Sequence, residues 1–134
     1  TQVLLSLRLH CQGRLICVLG CGGDRDPGKR PLMGVAAVQH SDLCLFTSDN
    51  PRSESPASII DEMCRDLAVP LDPADCLIDR KAAIQRALTL QEPGDVVVIL
   101  GKGHERYQEI QGVRYPFNDE AIVTAELMQR GRRA

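Results

Sequence analysis

Val96-Val97-Val98-Ile99-Leu100 is apolar at every position and rich in β-branched residues, which is how a strand reads when both of its faces are covered. It is predicted to be the central strand of a sheet. Working outward, Leu15 to Leu19 is a second buried strand that stops at Gly20, and Leu43 to Thr47 is a third. Leu32 to His40 reads as a short helix. Ser55 is a good N-cap for a helix from Pro56 to about Leu67, because Pro56 falls at the first helical position and Ile59, Ile60, Met63 and Leu67 recur at helical spacing. Asp79 caps a further helix to about Leu90, with Ala83, Ile84, Ala87 and Leu88 inward. Pro70 and Pro73 mark a connection, and Cys76 to Ile78 reads as a short edge strand. Tyr107 to Tyr115, around Gly112, reads as a hairpin, and Asp119 to Met128 as a closing helix. Strands alternating with crossover helices define the class as α/β: a three-layer, Rossmann-like domain with a mostly parallel sheet and a C-terminal β-hairpin.

The 134 residues suit one domain, and 16 Lys and Arg against 18 Asp and Glu leave a formal net charge of -2, so nothing favours a nucleic-acid partner. Arg130, Arg132 and Arg133 form a small basic tail that reads as solvated. No apolar run approaches the ~18 residues that cross a bilayer, and the N-terminus lacks a signal-peptide pattern. No membrane partner is expected, and the expected location is cytoplasmic. The six cysteines contain no CxxC pair and no zinc-like Cys/His spacing, so no metal site is expected. Cys17 and Cys44 lie in apolar runs, where a reduced thiol packs as a small hydrophobe. A reactive thiol at Cys21, beside a glycine-rich loop, is the alternative.

Ligands of an open parallel sheet gather beyond the carboxyl ends of its strands. Three polar segments take those places: Gly20 to Arg30, Asp49-Asn50-Pro51-Arg52, and Gly101-Lys102-Gly103-His104-Glu105. Their coincidence at one edge points to a binding cleft. The first has P-loop spacing at Gly23, Gly28 and Lys29, but Arg30 stands where a Ser or Thr would hold magnesium. Arg25, Lys29 and Arg30 are either anion ligands or a solvated basic face. In the second, Arg52 can grip a carboxylate through two parallel hydrogen bonds, with Asp49 orienting the guanidinium and Asn50 offering its amide. An ion-paired turn before a helix is an equal alternative there. In the third, Glu105 and backbone carbonyls can bind an ammonium, Lys102 an anion, and His104 can orient its neighbours. Carboxylate-binding and ammonium-binding chemistry together suit an amino-acid zwitterion.

Gly20-Cys21-Gly22-Gly23-Asp24-Arg25-Asp26, continued by Gly28-Lys29-Arg30-Pro31-Leu32-Met33, then Asp49-Asn50-Pro51-Arg52, then Gly101 to Glu105 with Tyr107-Gln108, resemble the C-terminal domain of the bacterial Mur ligases. The likeness covers essentially the whole chain. It is to the form that adds the third amino acid to the peptidoglycan precursor UDP-N-acetylmuramoyl-L-alanyl-D-glutamate. The resemblance implies a ligase that uses ATP and magnesium to form an acyl phosphate, which the amine of the incoming amino acid attacks to give an amide. It implies Arg25 on a carboxylate of that amino acid, and Asn50 and Arg52, beside Asp49, at the far end of its side chain. Glu105 and the carbonyl of Gly101 are implied at the distal ammonium. Lys29, Arg30, Lys102 and His104 are implied as nucleotide-side or supporting residues. A second loop ending in Arg52 resembles the enzymes selective for meso-diaminopimelate, because lysine has no second carboxylate to grip.

From the same resemblance, residues 1–134 are expected to be this C-terminal domain without its first strand, with the UDP-binding and ATPase domains of the family lying outside the sequence. Thr1 to Gly13 reads as the end of a helix that follows the central-domain linker. Neither a catalytic residue nor a tightly bound cofactor is expected of this chain alone. Ser48 and Arg106 depart from the family pattern, and Arg106 either adds positive charge beside the ammonium site or points to solvent. A noncatalytic module of the same fold, binding another small molecule or a protein, is the competing reading.

Overall fold

The computed structural model describes residues 2–23, 27–101, 107–110, 113–116 and 119–133. Strands β1 (Leu15–Cys21), β2 (Leu43–Ser48) and β3 (Val96–Leu100) form a parallel sheet in the order β2-β1-β3. Cys17 lies between Cys44 and Val98 in register. Every residue of β1 is buried, whereas every residue of β3 is only half-buried. The expectation for Val96–Leu100 is therefore corrected: among the described strands β1 is central and β3 lies at an edge. An all-apolar run reports two covered faces and carries no information about its hydrogen-bonded edges.

Helices α1 (Gln2–His10), α2 (Lys29–Gln39) and α3 (Pro56–Cys64) cover one face of the sheet. Leu15, Cys17, Leu19 and Phe46 pack there against Leu4, Ala37, Ile59, Ile60 and Met63. The other face, through Ile16, Val18 and Leu45, packs against Ala83 and Ala87 of α4 (Arg80–Leu90). Helix α5 (Asp119–Arg133) lies against α4. Helices on both faces of a parallel sheet make the three layers, and an antiparallel hairpin of β4 (Tyr107–Ile110) and β5 (Val113–Pro116) stands at the expected place.

The caps follow local chemistry. Ser55 accepts from the Ser58 N–H at 3.4 Å with Pro56 in the first turn, and Asp79 accepts from the Lys81 N–H at 3.0 Å. Helix α2 begins at Lys29, ahead of the expected Leu32, because Pro31 falls in the first turn, where no intrahelical N–H bond is needed. Helix α3 stops at Cys64, although Leu67 still packs against the core. No strand forms over 76–78: a 3-10 turn at Pro73–Asp75 and the cap at Asp79 crowd it to one bridge between Cys76 and Phe46. Helix α5 continues past Met128 and draws the basic tail into its last turns.

Candidate functional site

A cavity of about 410 Å³ opens beyond the carboxyl ends of the three parallel strands. Gly20 contributes from the end of β1, Gly22 from the β1–α2 connection, Lys29 from the start of α2, Asp49 from the residue after β2, and Gly101 from the residue after β3. All three polar loops reach it. Gly101 has φ 117, and a methyl group there would come 2.5 Å from the Gly20 carbonyl oxygen. Glycine is what lets the end of β3 turn across the end of β1.

The first two loops are joined directly. The Gly23 N–H donates to the Asn50 carbonyl at 2.7 Å, and Arg52 Nη1 donates to the carbonyls of Gly23 at 2.9 Å and Asn50 at 3.3 Å. Arg52 has φ 54, a left-handed conformation that costs a non-glycine residue free energy and that the surrounding contacts hold in place. Asn50 is fully buried and Asp49 nearly so, while Arg52 is half-buried. Lys29 is exposed at the first residue of α2. Arg25, Lys102, His104 and Glu105 lie outside the described residues, as does Arg106.

Arg30 borders the same cavity from the first turn of α2. It is 2% exposed, so it is not part of a solvated face. Nη1 donates to Glu54 at 3.0 Å and to Glu62, and Nη2 donates to Glu54 at 2.7 Å and to the Gly22 carbonyl at 3.0 Å. Both amino groups are thereby filled, and Nε, buried and without a partner among the described residues, is the one N–H of the guanidinium left over. The Glu54 and Glu62 carboxylates hold this guanidinium well above its ordinary range.

Arg80 went unnoticed in the sequence. It is 1% exposed at the first position of α4. Nε and Nη2 grip Asp119 at 2.8 and 2.7 Å, and Nη1 donates to the Ser48 carbonyl at 3.1 Å. It therefore ties the end of β2, where the second loop starts, to the first turn of α5. A signal existed: Arg80 precedes Ala83, Ile84 and Ala87 by three, four and seven positions, so it shares their inward stripe.

Cys21 also borders the cavity, but it is 5% exposed and burial pushes its thiol up to about 11. The reactive-thiol alternative is corrected accordingly, since thiolate is the nucleophile and is scarce at neutral pH. All six cysteines are free. Among the described residues, no group of three or more His, Cys, Asp or Glu side chains could hold a metal ion, and no helix is long and apolar enough to cross a membrane.

A layered α/β domain with helices on both faces of a parallel sheet and a cavity at the carboxyl ends of its strands belongs to the broad class of Rossmann-like domains. Residues 1–103 match the family described as "Mur ligase, glutamate ligase domain", and the chain belongs to that family. A protein of Chromobacterium violaceum named "UDP-N-acetylmuramoyl-L-alanyl-D-glutamate--2,6-diaminopimelate ligase" is 51% identical over 123 residues, covering 90% of this chain and 24% of the relative. A protein of the same name from Aquifex aeolicus is 50% identical over 122 residues, covering 91% and 25%. A solved structure of a protein of that name superposes with a TM-score of 0.86 at 42% identity, over 97% of this chain and 27% of the other. The chain thus spans about a quarter of the length of these relatives.

Proposed function

We propose that this chain is the amino-acid-binding domain of an ATP-dependent, amide-forming ligase. It holds meso-diaminopimelate while that amino acid is added to UDP-N-acetylmuramoyl-L-alanyl-D-glutamate, in cytoplasmic synthesis of the peptidoglycan precursor. The observation that supports this most is the convergence of Gly22 and Lys29, Asp49, and Gly101 on one cavity. In this reading Arg25 engages one carboxylate of the amino acid. Asn50 and Arg52, with Asp49 beside them, engage the second carboxylate at the far end, and Glu105 with the Gly101 carbonyl takes the distal ammonium. Lys29, Lys102 and His104 support the site, and so does Arg30, which borders the cavity.

The chain's own contribution is orientation. A zwitterion gripped at its far end presents its other amine at a fixed place, and such positioning replaces a bimolecular encounter with an effectively unimolecular one. ATP, when bound, supplies the driving force for amide formation. Magnesium does not fit the first loop as it would a P-loop, since Arg30, its guanidinium buried and ion-paired with Glu54 and Glu62, stands where a P-loop offers a metal-holding hydroxyl. ATP and magnesium therefore belong to the ligase reaction as a whole, and the part assigned to this chain is to bind and orient.

Calorimetric titration of meso-diaminopimelate and of L-lysine, on the wild type and on Arg52→Ala, tests the reading. The wild type is expected to prefer diaminopimelate, and the variant to lose about tenfold or more of that preference, as expected for one charge-assisted contact. Equal affinity for both ligands, unchanged in the variant, would contradict it.

A further inference from the structure

Arg30 lies on the inward stripe of α2 with Gly34 and Ala37. Its acceptors come from separate segments: Gly22 in the first loop, Glu54 immediately beyond the second, and Glu62 on α3. Glu54 is joined to the second loop, because its own N–H donates to the Pro51 carbonyl at 3.0 Å and closes the turn that contains Arg52. One planar guanidinium therefore holds the first loop by a carbonyl and the second loop by a bidentate carboxylate. Such a fork has fixed geometry, which a lysine ammonium does not supply.

The charge arithmetic separates two roles. The guanidinium is sealed from solvent, while the Glu54 and Glu62 side chains are 35% and 40% exposed. Either carboxylate alone balances the one buried cation. Only Glu54 links the cation to the second loop, and Glu62 links it to the body of α3. The same gap is crossed by the Gly23 bonds to Asn50 and Arg52, so the separation that Arg30 sets is the separation at which Arg52 is held.

We propose that Arg30 and Glu54 act as positioning residues that fix the spacing of the two loops and thereby the place at which Arg52 presents its guanidinium, which makes them determinants of selectivity for an amino acid with a second carboxylate. This rests on the amino-acid-binding reading above. Glu62 neutralises and anchors the cation without setting the spacing.

The test titrates meso-diaminopimelate and L-lysine against the wild type, Glu54→Gln, Glu62→Gln and Arg30→Lys, and follows the hydrogen exchange of the Gly23 amide in each. Glu54→Gln and Arg30→Lys are expected to lose about tenfold of the preference for diaminopimelate, and Glu62→Gln to keep it within about twofold. Thermal midpoints of the two Gln variants should fall by similar amounts, so lost stability alone cannot produce the contrast. Gly23 exchange should speed up about tenfold in Glu54→Gln and change little in Glu62→Gln. Retained preference in Glu54→Gln, or equal loss in both Gln variants, overturns the positioning role. Absence of any preference in the wild type sinks the amino-acid reading and, with it, the selectivity role. The spacing role is then decided by Gly23 exchange, where equal rates in the two Gln variants overturn it.

Discussion

A methyl group added at Gly23 would come 1.8 Å from the Pro51 carbonyl oxygen, a distance no packed atoms sustain. The first loop must move away from the second to admit it, and the bonds from Gly23 to Asn50 and from Arg52 to Gly23 must lengthen or break. Gly23→Ala is expected to destabilise the fold by about 1–3 kcal/mol, the usual cost of overpacking. It is also expected to weaken diaminopimelate binding at least about tenfold, with thermal unfolding and calorimetry as the checks. This position shows why the loops were legible and their internal logic less so. Glycines and charges after an apolar run advertise a ligand-facing loop, but the carbonyl that excludes a side chain at Gly23 belongs to a loop distant in sequence. Arg30 and Arg80 were harder still, because a charged side chain is ordinarily read as exposed. Each nevertheless shares a stripe with apolar neighbours, Arg30 with Gly34 and Ala37, Arg80 with Ala83, Ile84 and Ala87. Periodicity had placed them inward.

Among the described elements, α4 joins several separate features. Asp79 caps it, its apolar stripe covers one face of the sheet, and Arg80 in its first turn clasps the first residue of α5. The Arg80 side chain is 0% exposed and that of Asp119 is 12% exposed. Removing one member of such a pair strands a buried charge, which costs about 3–5 kcal/mol, whereas replacing both with apolar groups costs far less. Asp119→Ala should therefore unfold at much lower urea than the wild type, and Arg80→Met with Asp119→Leu should recover most of the loss. Failure of the double variant to recover would mean that the Arg80 bond to the Ser48 carbonyl dominates. The caps and buried stripes of α3 and α4 were readable because they depend on residues a few positions apart. The rank of β3 in the sheet was not, since strand order depends on partners remote in sequence.

At the scale of the whole molecule, the end of the sheet opposite the cavity is closed by a different cluster. Asp95 accepts from the backbone N–H of Arg14 at 2.7 Å and of Glu92 at 2.9 Å, and from the Arg14 guanidinium at 3.0 Å. These bonds, the Arg14 backbone bond first, hold its carboxyl below the ordinary value of 3.8. A depressed carboxylate stabilises the fold fully above its unfolded value, and the contribution is lost as pH falls through the lower folded value. Thermal midpoints of the wild type should thus drop from about pH 5 towards about pH 2, and Asp95→Asn should show a shallower drop from a lower starting point. An unchanged acid limb in the variant would assign acid sensitivity to other carboxylates.

Five residues of β1, Leu15 to Leu19, separate Arg14 in this cluster from Gly20 at the cavity, a span of about 20 Å at the rise of a parallel strand. Gln12 and Glu92, both exposed at the cluster end, are consequently sound positions for a fluorophore or a surface tether. Such an attachment leaves the cavity facing the solution, so an immobilised domain keeps that end of the sheet outward by construction of the sheet itself.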